Sequence, residues 1–319
     1  MTNFAKKSLK GILAASALLV AGCSSETATS TASSASVASG DPIQIGIPDD
    51  ATNGGRAIKL LEEAGLITVD PDAGYTPETK DITSYLYNIE VVPAAANTLP
   101  STLDDYGGAC INGTYAVPAG LVPSQDALIT ETQGESGDNP YVNIIVARSE
   151  DKDNETYKTI VEAYQTQTVA EYILGKFTES FIPAFDYDET TAEENAAATV
   201  EEVDAYKSSE DGKTVVKVGV CGANNDQWKA VQKVLDDEDA GIYIELVEFD
   251  AYTIPNEALN SGEIDLNAFQ HKAYLENEVS TQGYEIETIG DTLMAPLSLY
   301  SNKASSLDEL KELAGKLAE

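Results

Sequence analysis

Residues 43–61 read IQIGIPDDATNGGRAIKLL, and the periodicity changes halfway along them. Ile43, Ile45 and Ile47 alternate as in a strand; after a polar, glycine-containing loop, Ile58, Leu61 and Ala64 share one face of a helix. A strand feeding a helix N-terminus makes a ready anion site, because the first backbone N–H groups of a helix have no partners within it. Phosphate is the first ligand to consider. The loop lacks both the lysine of a GxxxxGK(S/T) phosphate loop and the three-glycine spacing of GxGxxG. It carries Arg56 directly after Gly54 and Gly55 instead, and a guanidinium fork matches a carboxylate in a bidentate pair. A helix-capping loop with a surface arginine fits this stretch equally well.

The strand–helix alternation continues outward from this stretch, which predicts an α/β class. YNIEVVPA, GACING and YVNIIVARSE read as strands. NETYKTIVEAYQTQTVAEYILGKF reads as a helix pair carrying Ile160, Val161, Tyr164, Val169, Ile173 and Leu174, and IPAF closes this unit near residue 186. Residues 187–214 are acidic, alanine-rich and poor in large apolar residues, which reads as a solvated, partly helical linker. The rhythm restarts at VVKVGVCG, followed by a helix that buries Trp228, Val231, Val234 and Leu235, and by the strands IYIELVEF and LSLYS. A last helical piece, SLDELKELAGKLAE, ends the chain.

Composition narrows the function. A net charge of −35 argues against nucleic acid and against broad electrostatic contact with anionic lipid. Lys6, Lys7 and Lys10 precede an apolar run over 12–21 that ends VAGC, the pattern of a lipoprotein signal peptide over 1–22 with Cys23 as the lipidated mature N-terminus. Residues 23–41 read as a flexible tether, so the acyl chain is the expected attachment to the cell membrane, with the protein facing outside the cytoplasm. Cys110 and Cys221 each lie in an apolar strand-like run and read as two separate buried thiols. One histidine, His271, and the absence of zinc-type cysteine spacing argue against a metal site. No nucleophile elbow is present, and no cofactor is implied.

VEFDAYTIPNEALNSGEIDLNAFQHKAYL, together with IPDDATNGGRAIKLLEEAGLI, ACINGTYAVPAGL and NPYVNIIVARSEDKDNETYKTIVEAY, resembles the NlpA-type methionine-binding lipoproteins. These are the substrate-binding components of methionine ABC importers. The resemblance covers 42–186 and 215–316, in the reverse of the family's order, so the chain resembles a circular permutant or a product of a duplicated gene. It implies a two-lobed periplasmic-binding-protein fold, each lobe an α/β sandwich with the ligand in the cleft between them. By analogy one lobe comprises 42–145 plus 304–319 and the other 146–186 plus 215–303, with both crossovers inside strands, near LSLYSN and NIIVARS.

The function implied is a non-enzymatic, monomeric binder that delivers L-methionine to an ABC permease and its ATPase. Another small zwitterion, such as D-methionine or a methionine-containing dipeptide, and a transport-inactive surface lipoprotein are the alternatives. With the family behind it, Arg56 is expected to hold the ligand carboxylate, and Asn112 offers both a donor and an acceptor. Tyr252, Phe269, His271 and Tyr274 are expected to box a thioether, although rings at such spacing also serve as plain core. Asn53, Tyr115, Asn225 and Asn256 are further candidates. Thr114 and the loop CGANNDQW depart from the family's INGNY and GPHAE patterns.

Overall fold

The strand and the helix expected over 43–61 both form, but the helix starts at Ala51, so the TNGGR stretch read as a loop lies inside its first turns. β1 (Ile43–Pro48) buries Ile45 and Ile47, and α1 (Ala51–Glu63) starts where the Asp50 carboxylate accepts the Asn53 N–H at 2.8 Å. A Cβ on Gly54 would lie 2.8 Å from the Pro48 carbonyl oxygen, and one on Gly55 2.7 Å from the Thr76 Cα. The glycine pair costs helix propensity, about 1 kcal/mol each. In return it lets the first turn of α1 press against backbone on both sides, which fixes the position of Arg56.

The computed structural model describes residues 40–317 apart from 75, 133–138 and 179; the signal peptide, Cys23 and most of the tether lie outside the described residues. After α1 the chain forms β2 (Ile67–Val69), β3 (Ile82–Tyr85), β4 (Ile89–Ala94), β5 (Gly108–Asn112), α2 (Gly113–Ala116), α3 (Pro123–Asp126) and β6 (Ala127–Thr130). Next come β7 (Val142–Arg148), α4 (Glu155–Tyr164), α5 (Gln167–Phe177), β8 (Ile182–Pro183) and α6 (Glu189–Ala205). The last part holds β9 (Thr214–Cys221), α7 (Gln227–Asp237), β10 (Ile242–Phe249), α8 (Pro255–Ser261) and β11 (Leu266–Asn267), then α9 (Lys272–Gln282), β12 (Ile286–Met294), β13 (Leu297–Tyr300) and α10 (Leu307–Ala314).

Two mixed sheets make two lobes, the α/β architecture expected from the sequence. The first runs β4-β1-β5-β13-β6, with β13 antiparallel to both neighbours; the second runs β10-β9-β11-β7-β12-β8. In lobe one, Ile58, Leu60 and Leu61 of α1 and Leu310 of α10 cover one sheet face. Each such fully buried side chain contributes about 1.5–3 kcal/mol. In lobe two, α4, α5 and α7 cover one face around Tyr164, Tyr172 and Trp228, and Leu259 of α8 and Leu275 of α9 help cover the other. A further cluster, holding Tyr115, Cys221, Tyr252, Phe269, Tyr274 and Tyr300, spans both lobes. Cys110 and Cys221 are free and buried, as expected.

Two expectations need correction. The lobe boundaries at 145/146 and 303/304, with crossovers inside strands, do not hold. All of β7 belongs to the second sheet and all of β13 to the first, so the chain changes lobe between β6 and β7 and again at Ala295–Pro296. Pro296 cannot donate to a ladder and separates β12 from β13. The segment read as a solvated linker holds the 17-residue α6. Ala192, Thr199 and Val203 bury one stripe of it, and a Cβ on Gly175 of α5 would lie 2.7 Å from the Ala196 carbonyl oxygen, so the two helices pack backbone to backbone. Thr199 and Asn195 donate to the buried Glu171 carboxylate at 2.7 and 3.1 Å, and Tyr172 and Lys176 both reach Asp204 at 2.7 Å.

Candidate functional site

Asp50 does more than cap α1. Its two carboxylate oxygens accept the Asn53 side-chain amide at 3.1 Å each, which turns the Asn53 Oδ1 toward the space between the lobes. Arg56 lies one turn later on the same face and donates from Nη1 to that oxygen at 3.1 Å. Asn112, the last residue of β5, donates to it at 2.8 Å. His271 approaches from the other lobe, its Nε2 3.3 Å away. The Nδ1 of His271 accepts the Tyr274 N–H at 3.1 Å as the cap of α9, which places the proton on Nε2 and makes it the third donor. Burial, and after it the nearby Arg56 charge, push the imidazole well below its usual range, so it is neutral at physiological pH. One carbonyl oxygen thus gathers three N–H groups from two lobes. Beside it the Asn112 Oδ1 is buried with no partner among the described residues.

Arg56 is already engaged. Its Nε reaches Glu131 Oε2 at 3.2 Å, its Nη2 pairs with Glu131 Oε1, and a longer Nη2 bond of 3.4 Å goes to the Ala295 carbonyl between the lobes. Its guanidinium lies over the Tyr141 ring, 4.6 Å from the centroid. Burial works against the charge and Glu131 outweighs it, holding the guanidinium above its ordinary range.

The opposite wall is aromatic. Phe269 lies 5.9 Å from Tyr252 and 6.0 Å from Tyr274 between ring centroids, and Tyr252 and Tyr274 are 6.1 Å apart. The walls face each other across a small pocket lined by residues of both lobes.

The expected residues divide accordingly. Arg56, Asn112, Tyr252, Phe269, His271, Tyr274 and Asn53 meet around this cavity. Tyr115 stands behind it, its ring tilted against Tyr252 with the centroids 4.9 Å apart and its hydroxyl donating to the Asp250 carbonyl. Asn225 lines an adjoining pocket and donates to the Gly222 carbonyl at 2.7 Å. Asn256 does not reach the ligand space: it is fully buried, and its amide is used by Gln270 and Asn267 at 2.6–2.9 Å. A buried amide must be satisfied, and neighbours on its own lobe satisfy this one.

Sequence reasoning did not single out Asn143, Gln270, Ala295 or Glu131. Asn143 was visible in principle, as the one polar residue inside the apolar run VNIIVA. Glu131 gave no local sign, because its partner is 75 positions away. Among the described residues no cluster could hold a metal ion, and no helix is long and apolar enough to cross a membrane.

The chain is similar in sequence to several known proteins. The profile of the NlpA lipoprotein family matches residues 28–185 and 216–315. The D-methionine-binding lipoprotein MetQ of Salmonella typhimurium is 41% identical over 133 residues, covering 41% of this chain and 48% of the relative. Outer membrane lipoprotein 3 of Mannheimia haemolytica is 41% identical over 125 residues, 39% of this chain and 46% of the relative. A solved nutrient-binding protein of Burkholderia cenocepacia bound to methionine shares 33% identity over 44% of this chain and 59% of its own, with a TM-score of 0.41. The chain spans about half the length of the curated relatives it matches.

Proposed function

This chain belongs to the NlpA lipoprotein family, and from that premise we propose that it is the substrate-binding lipoprotein of an ABC importer, holding L-methionine between its lobes. One observation carries the reading: three N–H donors from both lobes converge on the Asn53 Oδ1 beside the unpartnered Asn112 Oδ1. A ligand carboxylate takes over the donors, its ammonium donates to Asn112, and the thioether packs among Tyr252, Phe269 and Tyr274, where sulfur–ring contacts are favourable. A ligand that bonds to both lobes favours their closed arrangement, the form a permease would receive.

The reading is of a binder rather than an enzyme, and two features support it. The His271 Nδ1 is occupied as a helix cap, and burial pushes both cysteine thiols far up, away from the nucleophilic thiolate. Lipidation at Cys23 would tether the protein to the membrane. The order of the matched blocks is read as a circular permutation. In support, both sheets draw strands from both blocks, and Asn88 accepts from the Ile43 N–H and donates to the Gly315 carbonyl, at 3.0 Å each.

A second reading, a methionine-containing dipeptide, is favoured by the adjoining cavity, which shares Thr114, Asn143, Phe269 and Ala295 with the first. Mass spectrometry of ligand released by denaturing the purified, tether-truncated protein tests both, with L-methionine the expected species. Failure of every amino acid and dipeptide in a calorimetric panel would overturn the reading.

A further inference from the structure

The charge balance of the cleft is set by a residue that does not line it. Arg56 is the one ionised group among the described residues lining the cavity, His271 being neutral. Left alone, a buried guanidinium would draw in any anion. Glu131 prevents this by pairing along its Nε–Nη2 edge, with the arginine side chain 3% exposed and the glutamate 12%. Glu131 is itself held at both ends: its N–H donates to the Leu297 carbonyl at 3.0 Å, and its Oε1 accepts the Leu297 N–H at 2.9 Å, where β13 begins. A carboxylate anchored this way stays beside Arg56 when a ligand arrives. Of the five guanidinium hydrogens, the described contacts take four, two on Glu131, one on Asn53 and one on Ala295, which leaves one on Nη1 for the cavity. Asp50, partly exposed behind Asn53, adds no positive charge.

Building on the proposed function, we propose that Glu131 is a specificity-determining residue that neutralises the carboxylate subsite, so that the cleft takes ligands carrying both a carboxylate and an ammonium and rejects the same skeleton as a bare anion. The physical reason is desolvation. An uncompensated buried charge is costly, and in a cleft whose arginine is already paired the compensation must come with the ligand.

The test uses L-methionine and its des-amino analogue 4-(methylthio)butanoate, titrated calorimetrically into the wild type and Glu131→Gln. The wild type should prefer methionine by about a hundredfold or more. Glu131→Gln keeps one hydrogen bond to Arg56 and removes the charge, so the preference should shrink at least tenfold, chiefly through tighter binding of the anion. Equal changes in both affinities would reduce Glu131 to a structural prop or a displaceable stand-in, and the proposal would fall. So would a wild type that binds the two within a factor of about ten of each other, a result that does not depend on how well the variant folds. A wild type that ignores methionine defeats the parent function; one that binds it while the variant leaves the ratio unchanged defeats only the role of Glu131.

Discussion

The two walls of the cleft are built on opposite principles. In lobe one, Asp50, Asn53, Arg56, Asn112 and Glu131 form a chain of directional bonds in which each group orients the next. In lobe two, Tyr252, Phe269 and Tyr274 meet at ring distances near 6 Å, and their positions follow from packing. A bonded chain fails as a unit, because removing one member leaves its partner buried and unsatisfied. An aromatic wall loses area in proportion to what is removed. His271 belongs to both, capping α9 on one side and donating to Asn53 on the other.

Substitutions can break this contrast. Arg56→Ala should have the largest effect: methionine affinity falls by about a hundredfold or more, and thermal stability falls with it, because the partly buried Glu131 carboxylate loses its guanidinium partner. Unchanged affinity in a folded variant would remove the carboxylate assignment. Phe269→Ala should cost about tenfold to thirtyfold for methionine, from some 0.8 kcal/mol per methylene no longer buried, and little for alanine. Equal losses for both amino acids would mean that the ring shapes the lobe rather than the pocket.

His271 gives a smaller, pH-dependent effect. Its folded pKa lies below its unfolded value of about 6.5, so the unfolded chain takes up a proton first as pH falls, and stability is lost below that point. Denaturant unfolding between pH 7.5 and 5.5 should show a loss that His271→Gln lacks. Identical slopes would place the ring in water. The smallest effect is expected from cutting the chain at an engineered protease site near the exposed Ser209. Strands from both sides of the cut share each sheet, so the fragments should co-elute and bind within about twofold of the intact protein. Fragments that separate without denaturant would break the permuted-domain reading.

Legibility in the sequence followed the range of the interaction. Arg56 and Asn53 were readable because a strand, a glycine pair and a helix start lie within one short stretch. The acidic, alanine-rich composition of 187–214 masked the packed stripe of α6, although Ala192, Ala196, Thr199 and Val203 recur at helical spacing. Asn256 sits in the same resembling block as Phe269 and His271, yet its amide is spent on Asn267 and Gln270, a pairing that no spacing announces.

Periodicity, turn residues and local composition by themselves determined the α/β class, the strand–helix start that carries Arg56 and the two apolar runs that bury Cys110 and Cys221, because each rests on residues close together in the chain; the aromatic box was expected from the family resemblance. Tertiary structure alone decided where the chain changes lobe, that Glu131 neutralises Arg56, and that His271 bridges the walls. Each of these depends on which strands share a ladder. β6 and β13 bring Glu131 to Leu297 across 166 positions, and a contact made through a sheet leaves no trace in the local pattern of either segment.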